Sequence, residues 1–288
     1  MVRTTRGADL KERDMLNVKR APPRGLIGKG GGDGVTHARY EVPAPLDALI
    51  EHFWSVRWDL DPGVRLERQT LPHPCFHVVV EDGVAEVSGV PRARFVKVLE
   101  GRGQAFGVKF WPGGFRGLLD GSAAELTGRV VPLADVLGEA RARRYERAIT
   151  RARDDGARVR HATALFTRVL PLPPADFSTL HALVQAAMTD RTLTTVEALR
   201  ARSGMHLRDL QRWFRDTIGV NPKWLIQRYR LHEALAALEH RHATVAAIAA
   251  ELGYADQAHF ARDFRRVVGL SPSRYAALFQ KTCQTPTL

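Results

Sequence analysis

Near the C-terminal end of this 288-residue chain, arginine and glutamine recur at helical spacing opposite an apolar stripe. Arg208, Arg212 and Arg215 stand at i, i+4 and i+7 with Gln211 at their edge, while Leu207, Leu210, Phe214 and Ile218 mark the other side. Further on the arrangement returns: Ala258, Arg262 and Arg265, flanked by Gln257, Ala261 and Arg266, face away from Phe260, Phe264 and Val267. The major groove of DNA admits one α-helix, and the side chains fit what it displays. An arginine fork matches guanine O6 and N7, a glutamine amide matches adenine N6 and N7, and an alanine methyl can meet the thymine methyl. One such face would suit a solvated surface helix equally well; two copies with matching cores do not.

Other side chains could carry different chemistry. His73, Cys75 and His77 alternate, so on a strand they would point to one side, where imidazole and thiolate could hold a transition metal. Pro72 and Pro74 count against a regular strand there, and no further ligand stands nearby, so buried packing is the expected role and no metal is assigned. Trp54, Trp58, Cys75, Phe110 and Trp111 are candidates to line an apolar pocket, with plain core as the competing reading. Gly28 to Gly34 is linker chemistry, since no Gly-Lys-Ser/Thr closes it as a phosphate loop. No motif calls for a cofactor. A catalytic reading needs a ligand cluster, or a nucleophile with a base and an orienting group. Only the His73 to His77 stretch comes near, so no enzyme is expected.

The elements that must position these residues can be read from the same pattern. Residues 195–225 (TVEALRARSGMHLRDLQRWFRDTIGVNPKWL) and residues 244–275 (TVAAIAAELGYADQAHFARDFRRVVGLSPSRY) repeat each other. Gly204 matches Gly253, Phe214 matches Phe264, Gly219 matches Gly269 and Pro222 matches Pro272, with one extra residue after the glycine in the second copy. Each copy reads as a threonine cap, a short apolar helix, a glycine turn and a second helix. In the first copy either Thr194, which with Glu197 would make a capping box, or Thr195 could be the cap. Upstream, residues 1–34 read as a flexible basic tail and residues 35–135 as short strands broken by Gly and Pro: Phe76 to Val80, Ala85 to Val90, Arg94 to Leu99 and Phe106 to Trp111. The turn Glu81-Asp82-Gly83 follows the first of them. Pro45 to Trp58 is read as a helix, from the spacing of Leu46, Leu49, Ile50, Phe53 and Trp54. Residues 136–170 read as helices broken at Asp154-Asp155-Gly156, whose apolar stripe could form a dimer seam or pack on the sheet. The fold class is therefore α+β in two domains: residues 35–170, β-rich with trailing helices; a Pro-rich linker, 171–176; and residues 177–288, all helical.

Composition sets limits. A net charge of +12 is compatible with an anionic partner. Two cysteines make no disulfide framework and no four-cysteine zinc site, and suit a reducing compartment. Residues 1–20 lack the apolar stretch of a secretion signal and no run of about 18 apolar residues exists, so a cytoplasmic protein with no membrane partner is expected.

From Phe177 to Phe279 the chain resembles the AraC/XylS family of bacterial transcription regulators, on GMHLRDLQRWFRDTIGVNP and IAAELGYADQAHFARDFRRVVGLSP. The resemblance implies two helix-turn-helix units joined by a helix from Pro222 to about Glu239, with recognition helices about one DNA turn, roughly 34 Å, apart. Base readout would then fall on Arg208, Gln211 and Arg212, and on Gln257, Ala258, Ala261 and Arg262. Thr195, Arg215, Lys223, Thr244, Arg265 and Arg274 would meet phosphates. His206 departs from the small hydroxyl usual in the family and leaves the start of the first recognition helix open. The N-terminal part, on LIEHFWSV, LPHPCFHVVVEDG, FGVKFWPGGF and ELTGRVVPLADVLG, resembles sensor domains of some AraC-type regulators, for which a cupin-like barrel is one form. The function implied is a ligand-responsive regulator, leaning toward activation, with double-stranded DNA, RNA polymerase, an unknown small effector and a second copy of itself as partners. The alternatives are a metal-dependent cupin-like enzyme joined to a DNA-binding module, and a regulator whose N-terminal domain binds only protein.

Overall fold

The computed structural model of the chain describes residues 26–27, 34–240 and 243–280. Most of the segment read as a basic tail lies outside these residues. Two of its members, Leu26–Ile27, form a strand (β1) and so depart from the tail reading.

Strands β2 (Val35–Tyr40), β3 (Ile50–Asp59), β5 (His77–Glu81), β6 (Val84–Ser88), β8 (Arg102–Phe110) and β9 (Val130–Pro132) form a six-stranded sheet in the order β2-β3-β8-β5-β6-β9. Strands β1, β4 (Arg65–Thr70) and β7 (Phe95–Glu100) form a three-stranded sheet. The β5–β6 hairpin turns at Asp82 and Gly83, both at positive φ (50° and 82°), the backbone that the Asp-Gly dipeptide favours.

The helix expected over Pro45 to Trp58 is instead a 3₁₀ turn, Leu46–Ala48, followed by β3. The reason is burial on both sides. Phe53 and Ser55 face the helices, while Trp54, Val56 and Trp58 face the smaller sheet, so large apolar side chains fall on both faces and imitate a helical stripe. Trp54 lies so close over Gly107 of β8 that a Cβ there would stand 2.1 Å from the indole.

Helices α1 (Ala134–Leu137), α2 (Glu139–Thr150) and α3 (Asp155–Val169) cover the six-stranded sheet. Tyr145, Ile149, Val159, Ala162 and Phe166 are buried against Phe53, Val78, Phe106 and Phe110. Ile149, Val159 and Phe166 each contribute about 1.5–3 kcal/mol by leaving water. Of the two roles open for this stripe, packing on the sheet is the one it performs.

After the prolines come α4 (Phe177–Thr189), α5 (Val196–Ser203), α6 (Leu207–Thr217), α7 (Pro222–His240), α8 (Val245–Glu251), α9 (Gln257–Val268) and α10 (Pro272–Gln280). The main core does not stop at the linker. It runs from the sheet through Leu180, Leu183, Leu210, Phe214 and Ile218 to Tyr229. A second core joins α7 to α10 and takes in Leu71 from the β-rich half. Among the described residues no helix is long and apolar enough to cross a membrane.

Candidate nucleic-acid interface

Two helix pairs, α5–α6 and α8–α9, are each fixed by local chemistry at their ends. Thr195, not Thr194, caps α5, its Oγ1 accepting the Ala198 N–H at 3.1 Å, and Thr244 does the same for Ala247 at 3.2 Å. Gly204 and Gly253 take the left-handed turn with φ of 68° and 69°. The second helices pack through Leu210, Phe214 and Ile218 and through Phe260, Phe264 and Val268, all at most 1% exposed and at i, i+4, i+8 in both copies. Two expected core members differ. Leu207 is 37% exposed because it opens α6 at its solvent end, and Val267 is only partly buried because Val268 holds the inward position.

The helix starts differ as well. His206 precedes α6 in extended conformation and makes no capping bond, whereas the Asp256 carboxylate accepts the His259 N–H at 2.6 Å. That N–H holds the Asp256 carboxyl below the usual carboxylate range. Asp256 was missing from the sequence reading, and so were Asn221 and Ser271, which cap α7 and α10 through the N–H groups of Trp224 (2.8 Å) and Arg274 (3.3 Å). For Asn221 and Ser271 the signal was a polar residue directly before proline, a favoured first helical residue.

Arg208, Gln211, Arg212 and Arg215 are exposed on α6, and Gln257, Ala258, Arg262 and Arg265 on α9, with Ala261 half-buried between them. Thr195, Lys223, Thr244 and Arg274 are exposed at helix starts. Arg212 is steered by Asp209 at 2.7 Å, and Arg266 by Asp263 at 3.0 Å. Between the pairs, α7 is buried along most of its length. Its Arg228 is buried against the Trp224 ring, 4.4 Å from the centroid, and burial lowers its pKa to about 10.

The β-rich half grips this module. Ser122 Oγ donates to Asp216, in the last turn of α6, at 3.0 Å, and Thr127 Oγ1 to the Gly219 carbonyl, just past its end, at 2.6 Å. His73 stacks on His232 of α7 with ring centroids 4.1 Å apart. Trp111 stands edge-on to His181 of α4 at 4.9 Å.

The pocket and metal candidates disperse. Trp54 and Trp58 face the smaller sheet, Phe110 lies in the main core against Phe115 and Phe166, and Trp111 is a contact between the halves. Alternation along strands explains the separation: Trp54 and Phe110 point to opposite sides of one sheet. Cys75 Sγ lies 3.5 Å from His77 Nε2, but the stacking on His232 takes His73 elsewhere. Burial pushes the Cys75 thiol up to about 12 and the His77 imidazole down to about 3. Among the described residues no three His, Cys, Asp or Glu side chains are grouped to hold a metal.

Residues 199–277 match the family model described as a helix-turn-helix domain. The C-terminal module is a helix-turn-helix domain. The chain is 38% identical over 81 residues to an HTH-type transcriptional regulator of Mycobacterium tuberculosis, covering 28% of this chain and 31% of that protein. It is 38% identical over 76 residues to the HTH-type transcriptional activator RhaS of Escherichia fergusonii, covering 26% of this chain and 27% of that protein. The chain thus spans less than a third of the length of these curated relatives. Residues 38–132 match a domain of unknown function, DUF6597. Among solved structures, ToxT from Vibrio cholerae aligns over 79% of this chain and 98% of its own, at 11% identity and a TM-score of 0.41.

Proposed function

We propose that this chain is a sequence-specific DNA-binding transcription regulator. The observation that carries the reading is the pairing of two capped helix-turn-helix units, each presenting an exposed arginine and glutamine face, on one buried helix of 19 residues. Arg208, Gln211 and Arg212 read bases in one major-groove segment, and Gln257, Ala258, Ala261 and Arg262 read them in the next. Thr195, Arg215, Lys223, Thr244, Arg265 and Arg274 contact phosphates, which supply most of the affinity and its salt dependence. The regulator works in the cytoplasm, responds to a small effector held by the β-rich half, and acts as an activator that touches RNA polymerase. If it dimerises, it does so through a surface other than the inward stripe of α2 and α3.

The test is selection from a random duplex pool with the purified chain, followed by anisotropy titrations over a salt series. A defined motif with two segments one helical turn apart is expected. Recovery of unrelated sequences, bound with equal affinity, would sink the sequence-specific reading.

A further inference from the structure

Behind the six-stranded sheet lies a cavity of about 280 Å³, on the side covered by α2 and α3. Its volume is close to the lower end of ligand pockets, roughly 300–1,000 Å³. Val80, Phe106 and Ile149, all nearly inaccessible, make an apolar wall. Ser55, Asp155 and Arg158 make a polar floor, also buried, while Arg57, Gln104, Thr150 and Asp82 stand exposed around the mouth.

The floor is a finished network. The Asp155 carboxylate accepts from Tyr40 OH, from Ser55 Oγ at 2.9 Å, from Arg57 Nη2 at 2.6 Å and from Arg158 Nη1 at 2.7 Å. Burial alone would raise its pKa, but the donors of Tyr40, Arg158 and Ser55 hold it below the usual range. Arg158 also donates to Gln104 at 3.1 Å and to the Ala152 carbonyl at 3.4 Å. Asp155 is therefore fully engaged, and two guanidinium groups face one carboxylate. A buried ion pair is weak stabilisation compared with apolar packing, so stability alone does not account for this network.

The surplus charge sits on Arg57, which gives one amino group to Asp155 and opens toward the mouth with 47% of its side chain exposed. Asp155 is the first residue of α3, so the positive end of that helix dipole lies at the floor. Asp82, the second carboxylate among the lining residues, is exposed at the rim, where water screens it.

We infer that this cavity binds a small monocarboxylate with a compact apolar body. The carboxylate pairs with Arg57 and Gln104, and the body lies on Val80, Phe106 and Ile149. This rests on the effector-responsive reading above and names the class of effector. The ligand would bridge the sheet to the first turn of α3, the helix that leads through the prolines into α4.

The experiment is isothermal titration of the full chain with phenylacetate, 3-methylbutanoate and hexanoate, against phenylacetamide as the neutral isostere. DNA binding is measured by anisotropy on the same samples. One-to-one binding of an acid is expected, with the amide about tenfold or more weaker. Arg57→Gln should weaken the acid by a similar factor, and Thr150→Trp should block it by filling the mouth, while both variants keep the DNA affinity of the parent. Failure of all three acids to bind overturns the inference, as does binding that ignores Arg57→Gln and Thr150→Trp. A chain that binds DNA but no acid loses this site alone. One that binds acid through Arg57 but no DNA keeps the site and loses the regulator reading.

Discussion

At the scale of single residues, Arg212 and Lys223 carry the two kinds of DNA contact proposed above. Arg212 is exposed on α6 and steered by Asp209. Arg212→Ala should cost about 1–3 kcal/mol of specific binding and relax one operator position. Uniform loss over all sequences would make it a phosphate contact. Lys223→Ala should weaken every sequence alike and flatten the salt dependence, and a loss at one base would contradict that role. A third residue, His77, reports on pH. Its folded pKa is depressed to about 3 by burial, so between that value and the unfolded one, near 6.5, the unfolded chain binds the extra proton. Stability therefore rises with pH across this window and falls on acidification, by about 2 kcal/mol from pH 7 to pH 5 for this group. His37, His52 and His181 are shifted the same way and add to the slope. Urea unfolding of His77→Gln at both pH values should show a smaller difference than the parent; an unchanged difference would mean that His77 does not titrate in this way.

At the scale of elements, the two recognition helices start on unequal footing. The backbone of His206 is already extended, with φ −68° and ψ 146°, so a hydroxyl placed there could reach the N–H groups of α6. His206→Ser should stabilise the chain by about 0.5–1 kcal/mol, and Asp256→Ala should lower its melting temperature. Thermal unfolding decides both, and a neutral Asp256→Ala would mean that water replaces the cap without loss. These ends were within reach of sequence reasoning because their information is local: a cap, a glycine turn and a stripe at i, i+4, i+8 occupy one short window. The same holds for the Asp82-Gly83 hairpin. Strand β3 was not legible, since its second buried face exists only because β4 and β7 pair elsewhere and close over Trp54 and Trp58. Nor could spacing show that Trp111 meets α4, or that Tyr40, Ser55, Arg57 and Asp155 converge from three elements.

For the whole molecule, the decisive feature is that neither half keeps its core to itself. Helix α7 is buried along most of its length and has no single apolar stripe, as suits a helix enclosed on several sides. Leu225, Ile226 and Tyr229 join the main core, while Leu231, Ala234, Leu235 and Leu238 join the second. Leu71, just beyond β4 and fully buried, belongs to that second core with Phe260, Phe264 and Tyr275. A residue of the β-rich half thus belongs to the core that backs the second helix-turn-helix unit, and His73, two residues on, stacks on His232 of α7. Leu71→Ala should leave a cavity costing about 2–5 kcal/mol. Its location makes the effect informative: amide hydrogen exchange should accelerate in α8, α9 and α10 as well as around β4, and DNA affinity should fall although no DNA-facing residue has changed. The coupling follows from packing, because a void in the core that Leu71 shares with Phe264 removes contacts within it. Faster exchange confined to the β-rich half, with α9 as protected as before, would show that the two halves are mechanically independent. Any signal from the cavity behind the sheet would then need a route other than the shared core.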